Sequence, residues 1–338
     1  MTTRFNRRQF VLGASGATAL AGLGIKSSQA QAPIPITVAE SEGHGWSVVF
    51  VADAENTWAK FGLKADVAKF TAGRLAMEAV LAEKADFATT TDSPTVLAAM
   101  RGLKPIIVAD FSRSSREMLV VARTDRKVSD PKMLKGKKIG TQVGTSGHYF
   151  LASYLKLHGL TLKDVELVNV RGPEMVTAVV KGDVDAFAWD WRTAQVAEQQ
   201  APGQLKILPI DGIEKIWQNH LILVTNEKTV KEKPAAIEKA VQALFAAEQF
   251  MKTDPAKTLT HVAERTATSK DATEVGIKLL DVEVKLDDRL VTDMVANAEW
   301  AIEAGLAQRP KEDLKTLFRG LVYEGPMRKV RADRVKLA

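Results

Sequence analysis

Leu75 to Asp92, closing on Lys84-Ala85-Asp86-Phe87-Ala88-Thr89-Thr90-Thr91-Asp92, and Met175 to Asp190, closing on Lys181-Gly182-Asp183-Val184-Asp185-Ala186-Phe187-Ala188-Trp189-Asp190, state one phrase twice. Each is a helix that feeds a short apolar strand, and each strand ends in polar or aromatic groups. Helix and buried strand in alternation make an α/β protein, and two such units argue for two similar lobes. Ligands of α/β sheets lie beyond the carboxyl ends of the strands, so the cleft between the lobes is the expected site.

Working outward, the alternation continues along the chain. Strands are expected at 36–39, 65–70, 87–89, 104–109, 118–122, 138–142, 165–170, 186–189, 205–208 and 221–224. Helices are expected at 48–61, 74–82, 94–101, 149–158, 174–180, 193–198 and 235–252, with three more within 254–266, 288–304 and 311–317. Runs of period two mark the former and of period near 3.6 the latter.

Within this pattern, Lys137-Lys138-Ile139-Gly140-Thr141-Gln142-Val143-Gly144-Thr145-Ser146-Gly147-His148-Tyr149-Phe150 reads as a strand that breaks at Gly144 into a helix. The first turn of that helix is built of small and hydroxyl residues. Free N–H groups at a helix start, with the Thr145 and Ser146 hydroxyls, offer donors and partial positive charge to a carboxylate, sulfonate or phosphate. The plainer role for either hydroxyl is an N-cap.

The N-terminus has its own signature. Asn6-Arg7-Arg8-Gln9-Phe10-Val11-Leu12 leads into a weakly apolar stretch, Val11 to Ile25, and Ser28-Gln29-Ala30 puts small residues where a signal peptidase reads. Residues 1–30 therefore read as a twin-arginine export signal cut after Ala30, with the periplasm as destination. The whole chain carries 47 Lys and Arg against 41 Asp and Glu. The leader holds Arg4, Arg7, Arg8 and Lys26 and no acid, which leaves the mature chain at +2. The basic balance of the full chain is thus no argument for nucleic acid.

Cysteine is absent from the 338 residues, which excludes disulfides, cysteine nucleophiles and cysteine-ligated metal. The five histidines (44, 148, 158, 220 and 261) lack metal-ligand spacing. Gly144-Thr145-Ser146-Gly147 is no nucleophile elbow, since His148 stands where that motif needs glycine, and no P-loop or dinucleotide fingerprint occurs. A binding protein with no cofactor and no metal, rather than an enzyme, is expected.

Four stretches in order carry a family resemblance: Phe70-Thr71-Ala72-Gly73; Ala85 to Pro94; Leu134 to Ile139 with Gly144 to Leu151; and Val184 to Asp190. The sequence resembles the periplasmic substrate-binding proteins of ABC importers for sulfonates, taurine and nitrate, a superfamily that also holds binders of thiamine pyrimidine precursors. The resemblance implies a two-lobed type II fold with two chain crossings, near Arg123–Thr124 and near Asn219–Val224. Residues 31–123 and 220–338 would form the first lobe and 124–219 the second. It also implies a monomer that docks transiently on a membrane permease and its ATPase, and closes on its ligand without chemistry.

Candidate site residues follow from the resemblance and from the residues themselves. His44, Gly45 and Trp46 should face the cleft from the loop after the opening strand; the alternative for His44 and Trp46 is a packed loop. Thr90, Thr91, Asp92 and Ser93 end a strand beside a helix that Pro94 starts. Gly144, Thr145, Ser146 and His148 match positions that hold the anionic head group in sulfonate binders, with His148 more a brace for the turn than a contact. Trp189, Asp190, Arg192 and Asn219 complete the set, and strand alternation would put Trp189 and Trp191 on one side and Asp190 and Arg192 on the other. Sulfonate binders usually follow the tryptophan-aspartate step with proline, where this chain has Trp191-Arg192.

That departure leaves the ligand open among an aliphatic sulfonate, taurine, nitrate, an aromatic carboxylate and a pyrimidine. Tryptophan rings suit a planar ligand, Arg192, Arg113 or Arg116 a carboxylate or sulfonate, and Asp92, Asp190 or Glu42 an amine or ring N–H. A periplasmic sensor module and an enzyme like the thiamine-pyrimidine synthases are the other function classes; the latter relies on a cysteine-rich iron site that this chain cannot form.

Overall fold

The computed structural model describes residues 32–338, so the export signal read over residues 1–30 lies outside the described residues. In chain order the strands are β1 (Ile34–Ser41), β2 (Leu63–Phe70), β3 (Phe87–Thr91), β4 (Ile106–Ser114), β5 (Met118–Arg123) and β6 (Lys138–Thr141). They continue with β7 (Glu166–Asn169), β8 (Ala186–Asp190), β9 (Leu205–Ile207), β10 (Asn219–Thr225), β11 (Asp281–Asp287) and β12 (Val335–Lys336). Seven form one sheet in the order β12-β11-β4-β10-β3-β1-β2, and five form another in the order β7-β6-β8-β5-β9.

The repeated phrase marks equivalent places in the two sheets. Phe87–Thr91 pairs parallel to β1, and Ala186–Asp190 pairs parallel to β6, each with a helix just before it, Gly73–Leu81 and Met175–Lys181. Both strands are buried almost throughout, as expected where helices cover both faces of a sheet. Val38, Phe87, Ile107, Phe111, Leu223 and Leu244 belong to the core of the first sheet. The second sheet has Phe150, Tyr154 and Trp217 against one face and Val179, Phe187 and Trp189 against the other.

The chain passes between sheets twice. The outward passage lies between Ser114 and Met118, because β5 pairs with β8 and β9 in the five-stranded sheet. This is one strand earlier than the passage expected at Arg123–Thr124, where the second lobe was expected to begin only at residue 124. Met118 to Ala122 is an unbroken apolar run that reads alike in either sheet, and only its partners decide which one it joins. The return lies between β9 and β10, whose first residue is Asn219.

Three helices, Glu227–Glu232, Lys270–Lys278 and Gly325–Arg331, and the strands β11 and β12 were not expected. The helix expected over 48–61 is interrupted: Asn56 adopts a left-handed backbone (φ 53°) between Ser47–Ala54 and Thr57–Lys60. Asparagine tolerates that conformation better than most residues, so the break had a sequence cue. Helix Asp288–Glu303 packs on the helix Asp92–Met100 that follows β3, yet its Trp300 reaches the second sheet's core. There its ring lies 5.1 Å from that of His148 and 4.9 Å from that of Tyr149. Among the described residues no helix is long and apolar enough to cross a membrane.

Candidate ligand-binding cleft

A cleft of about 330 Å3 lies between the sheets and takes lining residues from both. From the first sheet come the turn Glu42–Trp46 after β1, Thr71–Arg74 after β2, and Thr91 and Pro94 after β3. From the second come Thr145 and Ser146, Gly172 and Pro173, and Trp189–Thr193. Glu117, Met118, Asn219 and Leu221, at the two crossings, form the floor.

The helix Ser146–Leu157 begins at this cleft. Gly144 holds φ +77°, the left-handed turn that lets the chain leave β6 and enter the helix. Thr145 Oγ1 donates to the Gln142 carbonyl (2.7 Å) rather than capping the helix, while the Thr145 carbonyl accepts from the His148 and Tyr149 N–H groups. The Ser146 hydroxyl and the first N–H groups of the helix thus stand at the cleft wall. Trp189 is stacked into the same wall. A Cβ on Gly147 would meet its ring at 2.6 Å and one on Gly172 at 3.1 Å, so the indole requires glycine at 147 and is crowded by any side chain at 172.

The opposite wall is as closely fitted. Trp46 donates from Nε1 to the Glu42 carbonyl (2.9 Å) and meets Phe111 edge-on at 6.2 Å. A Cβ on Gly45 would overlap the Leu221 side chain at 2.1 Å, so the loop packs its bare backbone against that leucine. His44 is buried against Gly276, 3.2 Å from the Thr268 hydroxyl, and burial lowers its basicity.

The site residues named from sequence divide in two. His44, Gly45, Trp46, Thr91, Thr145, Ser146, Trp189, Asp190, Arg192 and Asn219 all line the cleft. Thr90, Asp92, Ser93, Gly144 and His148 do not. Asp92 and Ser93 accept hydrogen bonds from Asn297 Nδ2 (3.3 and 2.7 Å), and burial pushes the Asp92 carboxyl up to about 6. Thr90 is buried beneath Gly73 with no partner for its hydroxyl. His148 Nδ1 accepts from the Gly144 N–H (3.4 Å), and burial against Trp300 holds the ring neutral with a pKa of about 4.

Alternation does not carry past Asp190. That residue ends β8 and caps the helix Trp191–Gln200, accepting the Thr193 N–H at 2.8 Å, so Trp189, Asp190, Trp191 and Arg192 all reach the cleft instead of splitting between two sides. Arg113 is not free for a ligand: it is buried between Asp110 (2.7 Å) and Asp287 (2.6 Å). Arg116 donates to the Lys278 carbonyl. Arg74 and Arg192 are the arginines that line the cleft, and Arg192 also donates to the Thr266 carbonyl at 3.0 Å.

Sequence reading missed Arg74, Gly172 and, above all, Glu117. Glu117 is 8 % exposed and accepts from Asn219 Nδ2; burial, with help from Asp190 and Asp92, pushes its carboxyl up to about 7. Its one sequence signal is a charge just before the apolar run of β5.

The profile of the NMT1/THI5-like family matches residues 46–258. A binding protein of Brucella abortus (strain 2308) is 26 % identical over 211 residues, 62 % of this chain and 65 % of that protein. The chain therefore matches just under two thirds of that relative's length. The taurine-binding periplasmic protein of Escherichia coli (strain K12) is 32 % identical over 142 residues, 41 % of this chain and 43 % of that protein. Among solved structures, the alkanesulfonate-binding protein SsuA from Xanthomonas axonopodis pv. citri bound to MOPS superposes with a TM-score of 0.73 at 18 % identity, covering 87 % of this chain and 99 % of that one. The fold is the two-lobed α/β fold of periplasmic binding proteins.

Proposed function

The chain belongs to the NMT1/THI5-like family, and from that premise we propose that it is the solute-binding component of an ABC importer, exported to the periplasm, which closes two lobes on a small organic anion or zwitterion. One observation carries the reading: a single cleft draws polar and aromatic side chains from both sheets and from both crossings between them. A ligand that touches all of these favours the arrangement in which they are close, and a permease can select that closed shape. The lobes are the bodies built on the two sheets, and the protein acts as a monomer.

The chemistry of the cleft fits capture without reaction. The Ser146 turn supplies donors for an anionic end such as a sulfonate or carboxylate. Three indoles, Trp46, Trp189 and Trp191, supply flat apolar surface, which favours a second ligand class, a planar aromatic acid or a pyrimidine, over a bare inorganic anion such as nitrate.

The test is a thermal-shift screen of residues 31–338 against aliphatic sulfonates, taurine, nitrate, aromatic acids and pyrimidines. A ligand at about a hundredfold its Kd stabilises by roughly 2.7 kcal/mol, a shift of at least about 2 °C. A class that raises the midpoint names the ligand; turnover of any of these compounds into a product would move the protein to the enzymes.

A further inference from the structure

The two crossings meet at the floor of the cleft. Glu117 lies on the outward connection between β4 and β5, Asn219 opens the returning strand β10, and a hydrogen bond from Asn219 Nδ2 to Glu117 Oε1 ties one to the other. Both side chains line the cleft although they are only 8 % and 1 % exposed.

Their polar valences are not filled by the protein. Among the described residues no lysine, arginine or histidine forms an ion pair with Glu117, and the nearby charges that act on it, Asp190 and Asp92, share its sign. Glu117 Oε2 lies 3.2 Å from where a Cβ on Gly45 would stand, and Asn219 Oδ1 is buried with no hydrogen bond at all. A buried carboxylate without a cation and a buried amide oxygen without a donor each cost free energy, and both deficits have the same remedy, a group rich in N–H.

We propose that Glu117 and Asn219 form a nitrogen-recognising subsite at the floor of the cleft, which takes a primary ammonium or an amino-substituted ring of the ligand while the Ser146 turn takes its anionic end. This inference rests on the solute-binding reading and narrows it to aminated acids and amino-heterocycles. An amine-free anion of the same size leaves Glu117 and Asn219 Oδ1 unpaired, so the subsite acts by rejection as much as by attraction.

Protonation gives the subsite a second readout. Near neutral pH part of the empty population holds a proton on Glu117, and an ammonium docked beside it favours the ionised form, so binding releases that proton. The other charged groups near this floor are Asp190 from β8 and, behind the cleft lining, Asp92 from the helix Asp92–Met100; Glu42, His44, Arg74 and Arg192 also line the cleft.

Calorimetric titration of residues 31–338 with matched pairs tests the proposal: taurine against ethanesulfonate, 4-aminobenzoate against benzoate, and 4-aminopyrimidine against pyrimidine. The expected result is that in at least one pair the aminated member binds roughly tenfold or more tightly and, where that member is taurine, the one ammonium of the set, with heats at pH 7 that vary with buffer ionisation enthalpy. Glu117→Gln should bring the members of that pair within about threefold. The wild-type comparison stands even if the variant folds poorly. Equal or tighter binding by the amine-free member of every pair that binds overturns the subsite and leaves the solute-binding reading intact. Silence from all six compounds overturns the subsite and takes that reading with it.

Discussion

Trp189 looks in the sequence like a ligand platform, yet it is held in place by two absent side chains. Gly147 and Gly172 flank its ring so closely that any Cβ must move it. Gly147→Ala should therefore displace the indole, lowering stability by about 1–3 kcal/mol and weakening ligand binding, measured by thermal melts and titration. Trp189→Ala leaves a cavity and should cost about 3–5 kcal/mol, whereas Ser146→Ala should weaken binding with the melting temperature nearly unchanged. If Ser146→Ala bound ligand like wild type, the anionic end would have to lie elsewhere. At this scale the sequence was half legible. Polar and aromatic residues at a strand end pointed to Trp189 and Asp190, and a hydroxyl at a helix start to Ser146, as cleft residues. Glu117 escaped because its meaning is given by burial and by Asn219, far away in the chain. Asp92 and Ser93 misled because the helix Asp288–Glu303 brings Asn297 over them.

Among the elements, β10 matters most, because it opens at the cleft floor and continues into a buried charge network. His220 Nδ1 lies 2.7 Å from Asp110 and its Nε2 3.0 Å from Asp293, while Asp110 also holds Arg113. Burial alone would lower the basicity of His220, but Asp110 and Asp293 outweigh it and raise the pKa to about 9. With the folded value above the unfolded value of about 6.5, the charged ring contributes stability that is complete below about pH 6.5 and lost as pH rises through about 9. Urea melts from pH 6 to 10 should show this decline. His220→Gln should remove most of that alkaline slope and cost about 3 kcal/mol at pH 7, since it takes the charged ring from between two carboxylates and leaves Asp110 with Arg113 alone and Asp293 with Arg289 alone. A slope unchanged in the variant would assign it to other groups. Element by element, helices and buried strands with strong periodicity were readable. Strand β11 was also written plainly, as Val282, Val284 and Leu286 alternating with charged residues, but it follows a run of helices and breaks the rhythm that made the earlier strands easy to see.

On the scale of the whole molecule, the two bodies touch through Trp300, which rides on a first-sheet helix and packs on His148 and Tyr149 at the head of a second-sheet helix. Trp300→Ala should loosen that contact: small-angle scattering of the ligand-free protein should show a larger radius of gyration, and affinity should fall by roughly threefold to tenfold as closure loses a contact. An unchanged radius would mean that the cleft residues alone hold the bodies together. The doubling of the α/β unit was visible in sequence because it is local, whereas the placement of β5 was not, because sheet membership is a matter of distant partners. That same topology governs how the chain is made. β10 sits between β4 and β3, so the centre of the larger sheet stays empty until everything that builds the smaller one has been synthesised. A nascent chain ending near residue 217 would hold a contiguous, closable second body, residues 118–217, inside a first body whose middle strands face no partner. It is therefore expected to be aggregation-prone at β3 and β4, with protease cutting there first. The second body is thus completed before the first, the reverse of the order in which the two begin.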